Sequence, residues 1–162
     1  MSDDVKVELS NDAAWVYETE FVPAIFSKWA PQLVAAARIS SGDRVLDAGC
    51  GTGILARESA SLVGSDELIT GLDINESMLA VAKELAPGIN WRNGDITSLP
   101  FDDCSFDAVA SQFALMFVTD KVAALREMWR VLAPGGNLAF STWSDSSVYQ
   151  SLSKYCRGAG ID

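Results

Sequence analysis

Residues 45–53 read V-L-D-A-G-C-G-T-G, a short apolar run that passes into three glycines separated by small residues. Glycine adopts backbone conformations that other residues resist, and without a Cβ it lets a ligand come close to the main chain. A buried strand that enters such a loop, with helical spacing after it, opens a β-α-β unit. In sheets built from these units, ligands bind beyond the carboxyl ends of the strands. The loop thus limits both the fold class and the place of the site.

The remaining chain keeps the alternation. From Asn11 to Ala37, Trp15, Val16, Phe21, Ile25, Phe26, Trp29, Leu33 and Val34 recur at helical spacing, and Pro23 and Pro31 divide them into short helices. Strands are expected at Arg44–Ala48, Glu67–Asp73, Ile89–Asn93, Phe106–Ser111 and Asn137–Trp143. Helices are expected from Gly53 to Leu62 with Gly64 as terminator, from an Asn75 cap to Pro87-Gly88, and from Lys121 to Leu132 with Pro134-Gly135-Gly136 after it. Ser147–Arg157 reads as one more helix. The pattern predicts an α/β fold, a Rossmann-like open and mostly parallel sheet with helices on both faces. Residues 1–40 read as an N-terminal helical cap and residues 41–162 as the sheet domain, together one compact unit.

Composition removes several function classes. The chain has 22 acidic against 12 basic residues, a formal charge of −10, which disfavours nucleic acid and anionic membrane surfaces as partners. It has no histidine, so Ser-His-Asp and Cys-His catalysis and imidazole zinc sites are excluded, and no metal site is expected. Cys50, Cys104 and Cys156 form neither a C-x-x-C pair nor a zinc spacing, and a reducing cytoplasm is their simplest home. The opening M-S-D-D-V-K-V-E lacks the basic start and apolar run of a secretory signal, and no apolar run approaches about 18 residues, so a soluble chain is expected.

Three ligand classes use a glycine-rich turn between strand and helix. A nucleoside triphosphate loop needs G-x-x-x-x-G-K-[ST], whereas A-G-C-G-T-G-I-L-A holds no cation before Arg57. A dinucleotide loop G-x-G-x-x-G starting at Gly49 would need its third glycine where Ile54 stands. The third class is a nucleoside that carries an amino acid in place of phosphates. Its carboxylate suits the amides that open a helix, and its cationic groups suit an acidic lining, for which Asp47 is at hand.

Beyond the glycine loop, G-L-D-I-N, N-G-D-I-T-S-L-P-F, F-D-A-V-A-S-Q-F-A-L-M-F-V and R-E-M-W-R-V-L-A-P-G-G-N-L-A-F-S follow in order. With these blocks the chain, from about Trp15 to Trp143, resembles class I S-adenosylmethionine-dependent methyltransferases. The likeness is to the small-molecule group that includes the ubiquinone and menaquinone biosynthesis enzymes. The resemblance implies S-adenosylmethionine as cofactor and in-line methyl transfer to a small-molecule acceptor. It implies Gly49 and Gly51 at the methionine part with Asp47 near its ammonium, and Gly53 either beside the cofactor or serving tight helix-sheet packing. Asp73 would take the ribose hydroxyls, Ile74 and Met78 the adenine, Asp95 its amino group and Ile96 its face. Ser111 and Gln112 would close the methionine end. Trp15, Tyr17 and Trp143 are candidates for the acceptor pocket, and no residue is assigned a catalytic role. A cofactor-binding module or fragment without turnover is the competing reading, and a nicotinamide-binding domain a third.

The family usually continues past strand five into an antiparallel pair that completes a seven-stranded sheet, and this sequence ends at Asp162 before those last two strands. N-L-A-F-S-T-W would then be an apolar edge without lysine or proline. Either the tail from Ser147 to Arg157 folds across it, or two chains meet there as a homodimer.

Overall fold

The structure, a computed structural model, describes residues 10–143. Strands β1 (Val45–Ala48), β2 (Ile69–Asp73), β3 (Asn90–Asn93), β4 (Phe106–Gln112) and β5 (Leu132–Ser141) form one sheet in the order β3-β2-β1-β4-β5. Every pairing is parallel. The chain runs outward from β1 to β3, then returns to β4 on the other side of β1. The order therefore reverses between β1 and β4, and their carboxyl ends form the switch point at which such sheets bind ligands.

Helices α1 (Asn11–Val16), α2 (Val22–Ala24) and α3 (Ala30–Ala36) precede the sheet, and α4 (Ile54–Val63), α5 (Glu76–Leu85) and α6 (Lys121–Arg130) connect its strands. β1 is buried throughout, as a central parallel strand must be, and its alternate residues serve two cores. Val45 packs with Leu33 and Val34 of α3 and with Leu55 and Ala60 of α4. Leu46 packs on the opposite face with Val109, Ala124 and Met128, beneath α6. Each such side chain removed from water contributes roughly 1.5–3 kcal/mol.

Local rules account for most boundaries. Pro23 and Pro31 sit in the first turns of α2 and α3, where the missing N–H costs no helical bond. Gly64 ends α4 in the left-handed conformation (φ 85°), and the Asn75 side chain caps α5 by accepting from the Ser77 and Met78 amides. Several boundaries differ from expectation, most by a residue or two. Asp66–Leu68 form a 3-10 turn, so β2 starts at Ile69 rather than Glu67. α6 ends at Arg130, and Leu132 already pairs with Phe106. Pairing resumes only at Asn137 with Ala108, so Pro134-Gly135-Gly136 loop out inside β5 instead of following the helix. Between α1 and α2, Tyr17–Phe21 form a π-helical turn that helical spacing alone did not reveal.

β5 is an edge of the described sheet, and Phe140 on it is 47% exposed. The expected helix Ser147–Arg157 lies outside the described residues.

The Trp91 indole of β3 lies across two glycines. A Cβ at Gly53 or at Gly71 would run into this ring, and one at Gly71 would also lie 3.1 Å from the Cys50 sulfur. Gly71→Ala should therefore destabilise the fold by about 1–3 kcal/mol in urea unfolding. Coupled to Trp91→Leu, it should cost less than the two single changes summed. Strict additivity would mean that the ring has room to move.

Candidate functional site

The loop after β1 is shaped by its glycines. Gly49, Gly51 and Gly53 have φ of 78°, 55° and 89°, a left-handed alternation that side chains disfavour. The Gly49 and Cys50 amides donate to the Leu72 carbonyl at 2.8 and 2.9 Å, which fixes the loop to the end of β2. The three glycines have different neighbours. A Cβ at Gly49 would collide with Ala114, and one at Gly53 with Trp91, whereas at Gly51 the nearest atom would be Tyr17 Cε1 at 3.9 Å. A Cβ at Gly51 would thus be in ordinary contact with the Tyr17 ring and nothing nearer, while the Gly53 backbone is pressed by the Trp91 ring.

Two carboxylates flank this loop. Asp47, on β1, is 1% exposed, and its Oδ2 accepts the Ala56 N–H at 3.0 Å. It thereby satisfies one of the free amides at the start of α4, where Gly53 has no side chain to do so. Its Oδ1 is buried without a hydrogen-bond partner among the described residues. Asp73, the last residue of β2, accepts the Gly51 N–H at 2.7 Å and the Asn75 N–H at 2.9 Å. Burial raises its pKa, and these amides oppose the rise. Sequence reasoning offers Asp73 no cation before Lys83, and here backbone amides supply part of the compensation.

At the carboxyl end of β4, Ser111 is fully buried with an unpartnered Oγ, and Gln112 donates to the Phe26 carbonyl at 2.8 Å while its Oε1 is buried and unpartnered. Phe113 follows at φ 53°, a strained value for an aromatic residue and a frequent mark of functional loops. Its ring stacks on Trp143 at 4.3 Å and meets Phe26 at 5.7 Å, and Phe26 stacks on Tyr17 at 5.2 Å. Tyr17 and Trp143 are thus joined through one aromatic cluster, whereas Trp15 packs beside Met78 with Ala14 and Val81 of α5.

The adenine-side candidates separate. Ile74 is 49% exposed on the loop after β2, and Met78 is buried under α1. Asp95 is exposed and turns its Oδ1 to the Thr97 amide and hydroxyl, at 2.8 and 2.7 Å. The Ile96 side chain lies in the core with Leu46, Leu72 and Leu99.

Glu18, Thr52 and Arg57 are absent from the sequence-derived site. Arg57 donates to the Thr52 carbonyl at 2.6 Å and to Glu18 Oε1 at 2.7 Å, so the π-helical turn is tied to the glycine loop. The Glu18 Oε2 and Thr52 Oγ1 atoms are buried and lack hydrogen-bond partners. The one sequence signal was Arg57, the first cation after the loop, and its partner stands 39 residues away.

The buried unpartnered oxygens of Asp47, Thr52, Ser111 and Gln112 suit a ligand that brings both hydrogen-bond donors and positive charge. Burial pushes the Asp47 carboxyl up to about 7, with the Ala56 amide pulling the other way. The folded chain therefore keeps a proton that the unfolded chain, titrating near about 4, releases, so this group's contribution to stability falls as pH rises through about 4 to 7. Asp47→Asn keeps an oxygen for Ala56 and removes the ionisation. Its stability relative to the native sequence should improve by about 2–3 kcal/mol between pH 5 and pH 8 in urea unfolding. A difference independent of pH would mean that the acid is not desolvated.

Residues 46–140 match the family model described as a methyltransferase domain. The chain is 37% identical over 142 residues to the chloroplastic 2-phytyl-1,4-beta-naphthoquinone methyltransferase of Arabidopsis thaliana, covering 83% of this chain and 54% of that one. It is 40% identical over 126 residues to the demethylmenaquinone methyltransferase of Listeria welshimeri, covering 75% and 53%. Among solved structures, an S-adenosylmethionine-dependent methyltransferase from Mesorhizobium loti matches with a TM-score of 0.63 at 36% identity, over 72% of this chain and 53% of that one. The chain spans about half the length of the curated relatives it matches. Its parallel sheet, glycine loop and switch-point site are those of the class I S-adenosylmethionine-dependent methyltransferase fold, and the chain belongs to the methyltransferase domain family.

Proposed function

We propose that the chain binds S-adenosylmethionine at the switch point and transfers its methyl group to a small aromatic acceptor of quinol type. The observation that carries the reading is the set of buried, unpartnered oxygens on Asp47, Thr52, Ser111 and Gln112, which lie on the ends of β1 and β4 and on the glycine loop. In this reading Gly51 lies against the methionine part, Asp47 Oδ1 accepts its ammonium, and Asp73 takes the ribose hydroxyls. Ile74 and Met78 flank the adenine, with Asp95 and Ile96 at its far side, and the ends of β1 and β4 close the site through Gly49, Ser111 and Gln112.

The bound cofactor would supply a methyl group already activated by a sulfonium, and the proton that the quinol acceptor gives up would pass to solvent, so no particular general base is demanded of the protein. What the chain contributes is position, because a nucleophile held about 3 Å from the methyl carbon in line with the breaking bond gains several kcal/mol. Tyr17, Phe26, Phe113 and Trp143 provide a water-poor aromatic wall for such an acceptor. The quinone substrates in the relatives' names support this acceptor class. Among the described residues Cys50 and Cys104 are free thiols, which suit a reducing compartment such as the cytoplasm. No helix among the described residues is long and apolar enough to cross a membrane.

Thermal shift tests the cofactor directly: S-adenosylmethionine and its demethylated product should raise the melting temperature with micromolar affinity, and NAD should not. Stabilisation by NAD alone would sink the assignment. Mass spectrometry after incubation with a naphthoquinol should reveal a methylated product; binding without product would support a cofactor module that does not turn over. Asp73→Ala should fold and weaken cofactor binding by about 1.5–3 kcal/mol in calorimetry, through the lost charge-assisted hydrogen bonds. Unchanged affinity would remove Asp73 from the ribose.

A further inference from the structure

The turn Tyr17–Phe21 places a carboxylate at the mouth of the site that the family motifs do not include. Glu18 is 13% exposed at its side chain and uses one oxygen, Oε1, on Arg57, itself 23% exposed. The other oxygen is buried and finds no hydrogen-bond partner among the described residues. Glu18 does not stand alone there. Glu18, Asp47 and Asp73 all bear on the Tyr17 hydroxyl, whose ionisation is opposed first by burial and then by these charges. Tyr17 in turn lies against Gly51, its Cε1 3.9 Å from where a Cβ there would stand. Arg57 is the cation that bears on this group, through Glu18 and at longer range through Asp47. Glu18 and Asp73 thus bear on the Tyr17 ring with Arg57 as the described cation beside Glu18, and the unpartnered Asp47 Oδ1, almost fully buried near them, marks a ligand position rather than a solvated acidic face.

We propose that Glu18 is a specificity-determining residue that reads the sulfonium charge of the methyl donor, favouring the donor over its neutral thioether product through the carboxylate oxygen that Arg57 leaves free. This rests on the cofactor reading above. The ammonium, the carboxylate, the ribose and the adenine are common to donor and product, so contacts to them cannot discriminate between the two. Only the sulfur charge differs, and a fixed carboxylate with one oxygen not engaged by Arg57 senses it over several ångströms. Product release is favoured by the same charge: once the methyl group has left, the attraction is gone.

Calorimetric titration at low salt of S-adenosylmethionine and of S-adenosylhomocysteine gives the ratio of product to donor dissociation constants. Glu18→Gln, which keeps its size and an oxygen for Arg57, should lower that ratio about fivefold. Arg57→Gln removes the opposing cation and should raise it by a similar factor. Glu18→Asp keeps the charge and shortens the reach, so it should hold the ratio within about twofold even where both affinities drop. A purely structural latch gives another pattern, because breaking it from either side moves both variants in the same direction and weakens both ligands alike. That pattern would overturn the proposal and leave the cofactor reading standing. If Arg57→Gln does not fold, the Glu18→Gln ratio decides alone. A native chain that binds neither ligand overturns both readings.

Discussion

The hydrogen bond from the Ala56 amide to the Asp47 carboxylate joins the centre of the sheet to the helix that follows the glycine loop. Much of the site geometry depends on it. Gly53 begins α4 in a left-handed conformation and brings no side chain to the free amides of the first turn, so the helix borrows its acceptor from β1. With β1 and α4 held this way, the intervening residues have little freedom. The loop closes through its own amides on Leu72, and Gly51 is aimed at Asp73. The same carboxylate keeps one oxygen unused in a buried setting. A residue that organises the fold is therefore also an electrostatic demand on whatever binds there.

The α/β class, the strand positions and the end of the sheet that carries the site were legible because they are written locally. Alternating glycines after an apolar run and an asparagine three residues before Met78 each act within a few residues of themselves. The roles of the individual glycines were less legible. Identical residues at positions 49, 51 and 53 face Ala114, Tyr17 and Trp91 respectively, and those neighbours come from distant segments. The loop inside β5 was misplaced for a related reason. A proline and two glycines signal a break without saying whether it falls after a helix or within a strand, and only the pairing of Leu132 with Phe106 decides. Glu18 was hidden by the π-helical turn, which shifts side chains away from the faces that a regular helix would give them.

The N-terminal segment does more than cover apolar surface. It reaches the site by three separate routes: Ala14 and Trp15 against Met78, Glu18 through Arg57 to the glycine loop, and the Phe26 carbonyl to Gln112. One contact is apolar, one ionic and one a neutral hydrogen bond, so they respond differently to temperature, salt and pH. The segment is tied to the ends of β1 and β4 and to α5 at once, which makes its position a property of the whole switch point.

The Trp91 ring resting on Gly53 and Gly71 carries a consequence for how such a sequence can drift. Gly71 and Trp91 form a single heritable unit: a larger residue at Gly71 is tolerated only after the tryptophan has shrunk, and a smaller residue at Trp91 opens a void until Gly71 has grown, whereas Gly53 is held to glycine by its φ of 89° as well. Single steps in either direction pass through a less fit intermediate. Lineages that descend from a common ancestor should therefore exchange Gly71 and Trp91 together or not at all, although they lie on two different strands.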